Sequence, residues 1–152
     1  MKPEDALRTL GLALPDPPKP VGAYLPCVRA GNLVFVSGQL PFRDGRLAFA
    51  GKIPADVSVA DGATAARQAA LNALAIAAHA VGGMANIARV VRLGVFVNSS
   101  AGFVEQPKVA NGASDFLAAV FGEAGKHARV AVGVSELPLN AAVEVELLVE
   151  AL

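Results

Sequence analysis

The segment Leu33-Val34-Phe35-Val36 runs apolar without a break before it reaches Ser37-Gly38-Gln39. A strand built from it has no polar face to turn to water, so both of its sides must be covered. Val90 to Asn98, with Val91, Leu93, Val95 and Val97 read on one face, and Ala142 to Val149 make the same demand. Two long helical segments are available to meet it. They are Ser58–Val81 and Pro107–Phe121, and both fall where they can pack on one side of the strands. The other side is then left for a second copy of the chain.

Local signals set the order of the elements. Pro3 to Leu10 reads as a short helix, with Glu4 and Asp5 at its positive end and Gly11 as the stop. Four prolines in Pro15–Pro20 forbid helix and predict an extended connector. Strands are expected at Tyr24–Ala30 and Asn32–Gln39 about a turn at Ala30-Gly31-Asn32, followed by a polar turn at Arg43–Arg46. Ser58 with Asp61 three residues on is an N-cap signal, and Gly82-Gly83 ends that helix. Asp61, Thr64, Gln68, Asn72 and His79 fall on its polar stripe. In the second long helix Val109, Ala113, Phe116, Leu117 and Val120 recur at helical spacing, and Gly122 stops it. His127–Ser135 and Ala142–Val149 read as closing strands about a turn at Leu137–Asn140. The order strand, strand, helix, strand, helix, strand, strand predicts an α+β fold in which a mixed sheet carries two main helices on one face. The expected division is an N-terminal helix and proline-rich extension over residues 1–20 and one domain over 21–152.

Composition narrows the function classes. The chain has 152 residues, 54% hydrophobic and 17% charged, which excludes disorder. Thirteen basic and thirteen acidic side chains cancel, so a nucleic-acid partner is not expected. The weakly charged stretch Gln68–Ala88 is mostly alanine and carries Asn72 and His79, so no membrane span is expected. Met1–Leu14 lacks the apolar run of a signal peptide, and a cytoplasmic location is expected. One cysteine, Cys27, and two histidines argue against a disulfide, a zinc cluster or any bound metal.

Strand alternation puts His127, Arg129 and Ala131 on one face of their strand and Ala128, Val130 and Val132 on the other. A guanidinium among small apolar neighbours needs an anion. One reading pairs Arg129 with Glu144 or Glu146 of an adjacent strand. The other has its planar fork holding a ligand carboxylate. Glu144 shares a face with Glu146 and Glu150, which suits either a solvated edge or a carboxylate that positions water. Tyr24, the only tyrosine, suits an aromatic anchor with its hydroxyl at the surface. Cys27 reads as an inert thiol in a strand, His79 as solvated, and His127 as a lining residue.

Three blocks together resemble the RidA/YjgF family of reactive-intermediate deaminases, also called the endoribonuclease L-PSP family. They are Val21-Gly22-Ala23-Tyr24 leading into Gly31–Pro41; Val95-Phe96-Val97; and Ala128-Arg129-Val130-Ala131-Val132 with Leu137-Pro138 and Val143-Glu144-Val145-Glu146. The likeness runs from about Val21 to Leu152, and Asn111-Gly112-Ala113-Ser114 and the proline-rich entry mark a divergent branch.

The resemblance implies the chorismate-mutase-like fold and a homotrimer with a barrel-like centre, with sites in clefts between subunits. It implies Arg129 as the carboxylate grip and Glu144 as the residue that positions water. Tyr24, Ser37, Gly38 and Asn111 would contact ligand. Ala131 stands where the family often has cysteine or threonine, and His127 where it has proline. The implied reaction is hydrolysis of 2-imino or enamine acids to 2-keto acids and ammonia, with no cofactor. A trimer that binds a small carboxylate without turnover is the alternative, and an endoribonuclease is a further one.

Overall fold

The computed structural model describes residues 1–19 and 22–152. Pro20 and Val21, which end the expected connector and open the first of the three blocks, lie outside the described residues.

Ten regular elements follow in chain order: α1 (Pro3–Thr9), β1 (Cys27–Ala30), β2 (Leu33–Gln39), β3 (Phe42–Arg43), β4 (Arg46–Leu47), α2 (Val59–Val81), β5 (Ile87–Asn98), α3 (Gln106–Phe121), β6 (Ala128–Val134) and β7 (Val143–Ala151). The main sheet has the order β1-β2-β7-β5-β6. Only β5 and β6, joined through α3, run parallel; the other neighbours are antiparallel. This is the mixed α+β sheet expected from the element order.

The long helix forms where its caps dictate. Ser58 Oγ accepts the Asp61 amide at 3.0 Å, and Gly82 closes the helix in the left-handed region at φ 81°. Between these caps the alanines at 65, 66, 69, 70, 73 and 77 are wholly buried. Their small side chains let α2 lie close on β2, β7 and α3. The sheet answers with Val34, Val95, Val97, Val143, Val145 and Val149, all fully buried.

The two helices meet most closely at Gly112 of α3, where a Cβ would run into the Ala63 carbonyl of α2. Backbone there cannot give way as a flexible side chain can. Gly112→Ala is expected to destabilise by roughly 3 kcal/mol. In a chain of this size that lowers Tm by about 10 °C in a thermal melt. A melt within 2 °C of wild type would contradict this packing.

Among the described residues, no helix packs on the far face of the sheet. Val28 is 54% exposed, Phe35 48% and Val132 39%. The face expected to need cover is therefore open, and on β7 the expectation of an apolar second face is corrected, because Glu144, Glu146 and Glu150 line it.

Several local readings are corrected. Tyr24 precedes the strand, which begins at Cys27. β5 starts three residues earlier than expected, and its register against β7 slips between Val90 and Arg92. The bulge puts Val90, not Val91, in the core. The polar turn at Arg43–Arg46 is the tip of a two-stranded hairpin, with Asp44 and Gly45 both at positive φ. Asn72 is not a bystander on a solvated stripe. Its amide donates to the Leu40 and Phe42 carbonyls at 3.0 and 2.9 Å and holds that hairpin on α2.

Candidate functional site

Arg129 lies opposite Leu93 of β5, and Ala131 opposite Val95. Both partners are core residues, so Arg129 and Ala131 point to the helix side of the sheet. No glutamate meets Arg129 there. β6 is the edge strand beside β5, and β7 with its glutamates is one strand further in. The reading that pairs Arg129 with Glu144 or Glu146 is therefore corrected: Glu146 instead has Arg92 at 3.7 Å.

Arg129 is held by α3. Its Nη1 donates to Asn111 Oδ1 at 2.8 Å and to Ser114 Oγ at 3.2 Å. Ser114 in turn lies 2.9 Å from His127 Nε2, and His127 Nδ1 lies 2.6 Å from the Gly125 carbonyl. Among the described residues nothing takes the hydrogens on Nε and Nη2. That edge presents two parallel donors, the geometry that matches a carboxylate.

A second group of candidates gathers on the opposite face. β2 carries an extra residue relative to β7 between Val36 and Gln39, a bulge at Ser37-Gly38. Bulges re-aim the strand next to functional sites. Here the bulge brings Gly38 under Glu144, so close that a Cβ on Gly38 would lie 2.8 Å from Glu144 Oε1. Ser37 Oγ donates to the Leu25 carbonyl at 2.7 Å, tying the segment beside Tyr24 to this end of β2. Tyr24 itself is 57% exposed. Burial, and then the charge of Glu146, push the Glu144 carboxyl above its ordinary range.

Gly38→Ala is expected to displace that carboxylate while leaving the melt nearly unchanged, because only the end of a side chain must move. A Gly38→Ala protein whose Glu144 titrates as in wild type by carboxyl-detected NMR would contradict this placement.

The structure thus sorts the sequence candidates into two groups. Asn111, His127, Arg129 and Ala131 stand together on the helix side of β6. Ser37, Gly38 and Glu144 stand together at the β2–β7 end on the other face, and Tyr24 precedes Leu25, whose carbonyl Ser37 holds. Within one chain it does not bring Arg129 and Glu144 together. A groove of about 300 Å³ on that same open face is bordered by Val28, Phe35, Ser37, Arg92 and Glu146.

Sequence reading missed Ser114 as a partner of Arg129, although its helical spacing from Asn111 was available. It also missed buried Asn98, which accepts from Lys52 Nζ at 3.0 Å and donates to Asn140 Oδ1 and the Ala141 carbonyl. Lys52 also reaches the Ser135 carbonyl, so this knot fastens the end of β6 and with it the strand that carries Arg129. Cys27 is free and half-buried, with burial pushing its thiol up, as an inert cysteine would be. Among the described residues no cluster of three or more metal-ligating side chains forms, and no helix is long and apolar enough to cross a membrane.

A mixed five-stranded sheet with its helices packed on one side defines an α+β protein. The family model described as "YjgF/chorismate mutase-like, putative endoribonuclease" matches residues 4–151, and the chain belongs to that family. It is 48% identical over 145 residues to Protein TCP17 of Trypanosoma cruzi, covering 95% of this chain and 91% of the relative. The crystal structure of Atu1372, a protein of unknown function from Agrobacterium tumefaciens, superposes with a TM-score of 0.92 at 45% identity, over 98% of this chain and 92% of that one. A 2-iminobutanoate/2-iminopropanoate deaminase from Dermatophagoides farinae is 28% identical, over 91% of this chain and 93% of its own.

Proposed function

We propose that this protein hydrolyses 2-imino and enamine acids to 2-keto acids and ammonia, in clefts formed between copies of the chain in a homotrimer. The observation that carries the reading is the guanidinium of Arg129. It is fixed at Nη1 by α3, while Nε and Nη2 have no hydrogen-bond partner among the described residues. The uncovered sheet face supports assembly, since its exposed Val28, Phe35 and Val132 are what a second copy would bury. The deaminase name of the mite relative supports the substrate class.

The reaction follows from the two groups of residues once they face each other across a subunit boundary. Arg129 takes the substrate carboxylate in two parallel hydrogen bonds. That places the imine carbon within reach of a water held by Glu144 of the neighbouring copy. Attack forms the C–O bond and sends the C=N electron pair to nitrogen. Glu144 accepts the water proton and delivers it to the departing nitrogen. In the carbinolamine so formed, Glu144 takes the hydroxyl proton and passes it to nitrogen as the C=O bond forms and the C–N bond breaks, leaving the 2-keto acid and ammonia. An imine is already electrophilic, so positioning supplies much of the acceleration. A carboxyl titrating above its ordinary range suits a group that must both take and give a proton. No cofactor enters these steps. With thirteen cationic and thirteen anionic side chains, the balance of charge does not favour an RNA substrate.

The test generates imino acids from a panel of amino acids with an amino-acid oxidase and traps the residue with semicarbazide. A fall in trapped imine on adding the protein is the expected result. No fall with any amino acid, together with saturable binding of pyruvate, would replace the enzyme by a carboxylate-binding module.

A further inference from the structure

The Ser114–His127 pair lies outside the family motifs and has a chemistry of its own. His127 Nδ1 is 2.6 Å from the Gly125 carbonyl, which can only accept, so Nδ1 carries the ring hydrogen in the neutral imidazole. Nε2 is then bare, and it accepts the Ser114 hydroxyl at 2.9 Å. With its proton committed, Ser114 Oγ has only lone pairs to offer, and it takes one Nη1 hydrogen of Arg129 at 3.2 Å. Asn111 Oδ1 takes the other. The hydrogen bonds run in one direction, from Arg129 through Ser114 and His127 to the Gly125 carbonyl.

A serine beside a histidine whose other nitrogen is held also fits a nucleophile and base. The surroundings do not complete that reading. Ser114 lies inside α3, whose own backbone amides are taken up by the helix and are not free to hold an oxyanion.

We propose that Ser114 and His127 are positioning residues for Arg129. They pin Nη1 so that the Nε/Nη2 edge stays turned to the substrate carboxylate. The inference rests on the reading of Arg129 as the carboxylate grip. It adds that grip strength is set by a serine and a histidine that never touch the ligand. An unpinned guanidinium must be ordered at the moment of binding, and pinning removes that cost beforehand.

The test measures pyruvate binding by calorimetry and imine turnover on the same proteins, and the His127 ring by ¹⁵N NMR above its titration range. Ser114→Ala is expected to weaken pyruvate binding about fivefold, the worth of one hydrogen bond. KM rises by the same factor, while kcat stays within twofold. Ser114→Thr, which keeps the hydroxyl, restores wild-type binding. In the wild type the ring shows a protonated Nδ1 and a bare Nε2. The proposal is overturned if Ser114→Ala binds pyruvate as tightly as wild type while Arg129→Ala loses binding, or if the hydrogen sits on Nε2. Unchanged binding in Arg129→Ala is a different result, since it removes the carboxylate-grip reading itself.

Discussion

Arg129→Ala is expected to lower kcat/KM for imino-acid hydrolysis by about 10²–10³-fold. Two charge-assisted hydrogen bonds leave with the guanidinium, together roughly 3–4 kcal/mol once both partners' solvation is counted. The carboxylate does not change during the reaction, so most of the loss falls on KM. A smaller part falls on kcat, because the carboxylate anchor also aims the imine carbon at water. Arg129→Lys restores the charge but not the planar fork, and is expected to recover only part of the loss. The melt changes little, since Arg129 stands exposed on an edge strand. Steady-state kinetics on the oxidase-coupled assay reads all of this. Wild-type kcat/KM in Arg129→Ala would remove the assignment of the site.

Glu144→Gln carries the second large effect, and it acts in two directions. Losing the carboxylate that takes and returns the proton is expected to reduce kcat by about 10²–10⁴-fold, the usual range for a general acid–base group. Stability moves the other way. Burial, and next the charge of Glu146, raise the folded carboxyl above its ordinary value near 4.5. The folded chain therefore holds a proton that the unfolded chain has released. Stability falls as pH climbs from that ordinary value through the raised one, and the full penalty stands above it. Glutamine carries no such penalty. Glu144→Gln is expected to be more stable than wild type at neutral pH and equal to it below the ordinary range. Denaturant midpoints measured across pH test this. A neutral-pH midpoint below wild type would mean that the carboxylate is stabilised where it lies. On the proposed reaction, Glu144→Gln exchanges activity for stability.

At these two residues sequence and tertiary structure part most clearly. Alternation along a strand is local, so it correctly placed His127, Arg129 and Ala131 on one face, and Glu144, Glu146 and Glu150 on one face. It could not say which face of β6 corresponds to which face of β7, because that depends on strand order. β5 lies between them, and the core register puts Arg129 on the helix side and Glu144 on the open side. Asn111 is a similar case. Its resemblance to a family asparagine was legible, but only the packing of α3 against β6 brings its oxygen to Nη1.

The amino-acid sequence by itself determined the helices, through Ser58, Gly82 and the alanine run, and the apolar strand β2, through its unbroken run Leu33–Val36. It also placed apolar side chains on both faces of β2, because apolar area is a property of composition along a segment. The tertiary structure decided the rest. The bulge at Ser37-Gly38, the Gly112–Ala63 contact, the hairpin held by Asn72 and the chain of bonds from Arg129 to Gly125 each join residues distant in sequence or slip a register by one. One residue of slip turns a strand's side chains to the other face without changing a letter of the sequence.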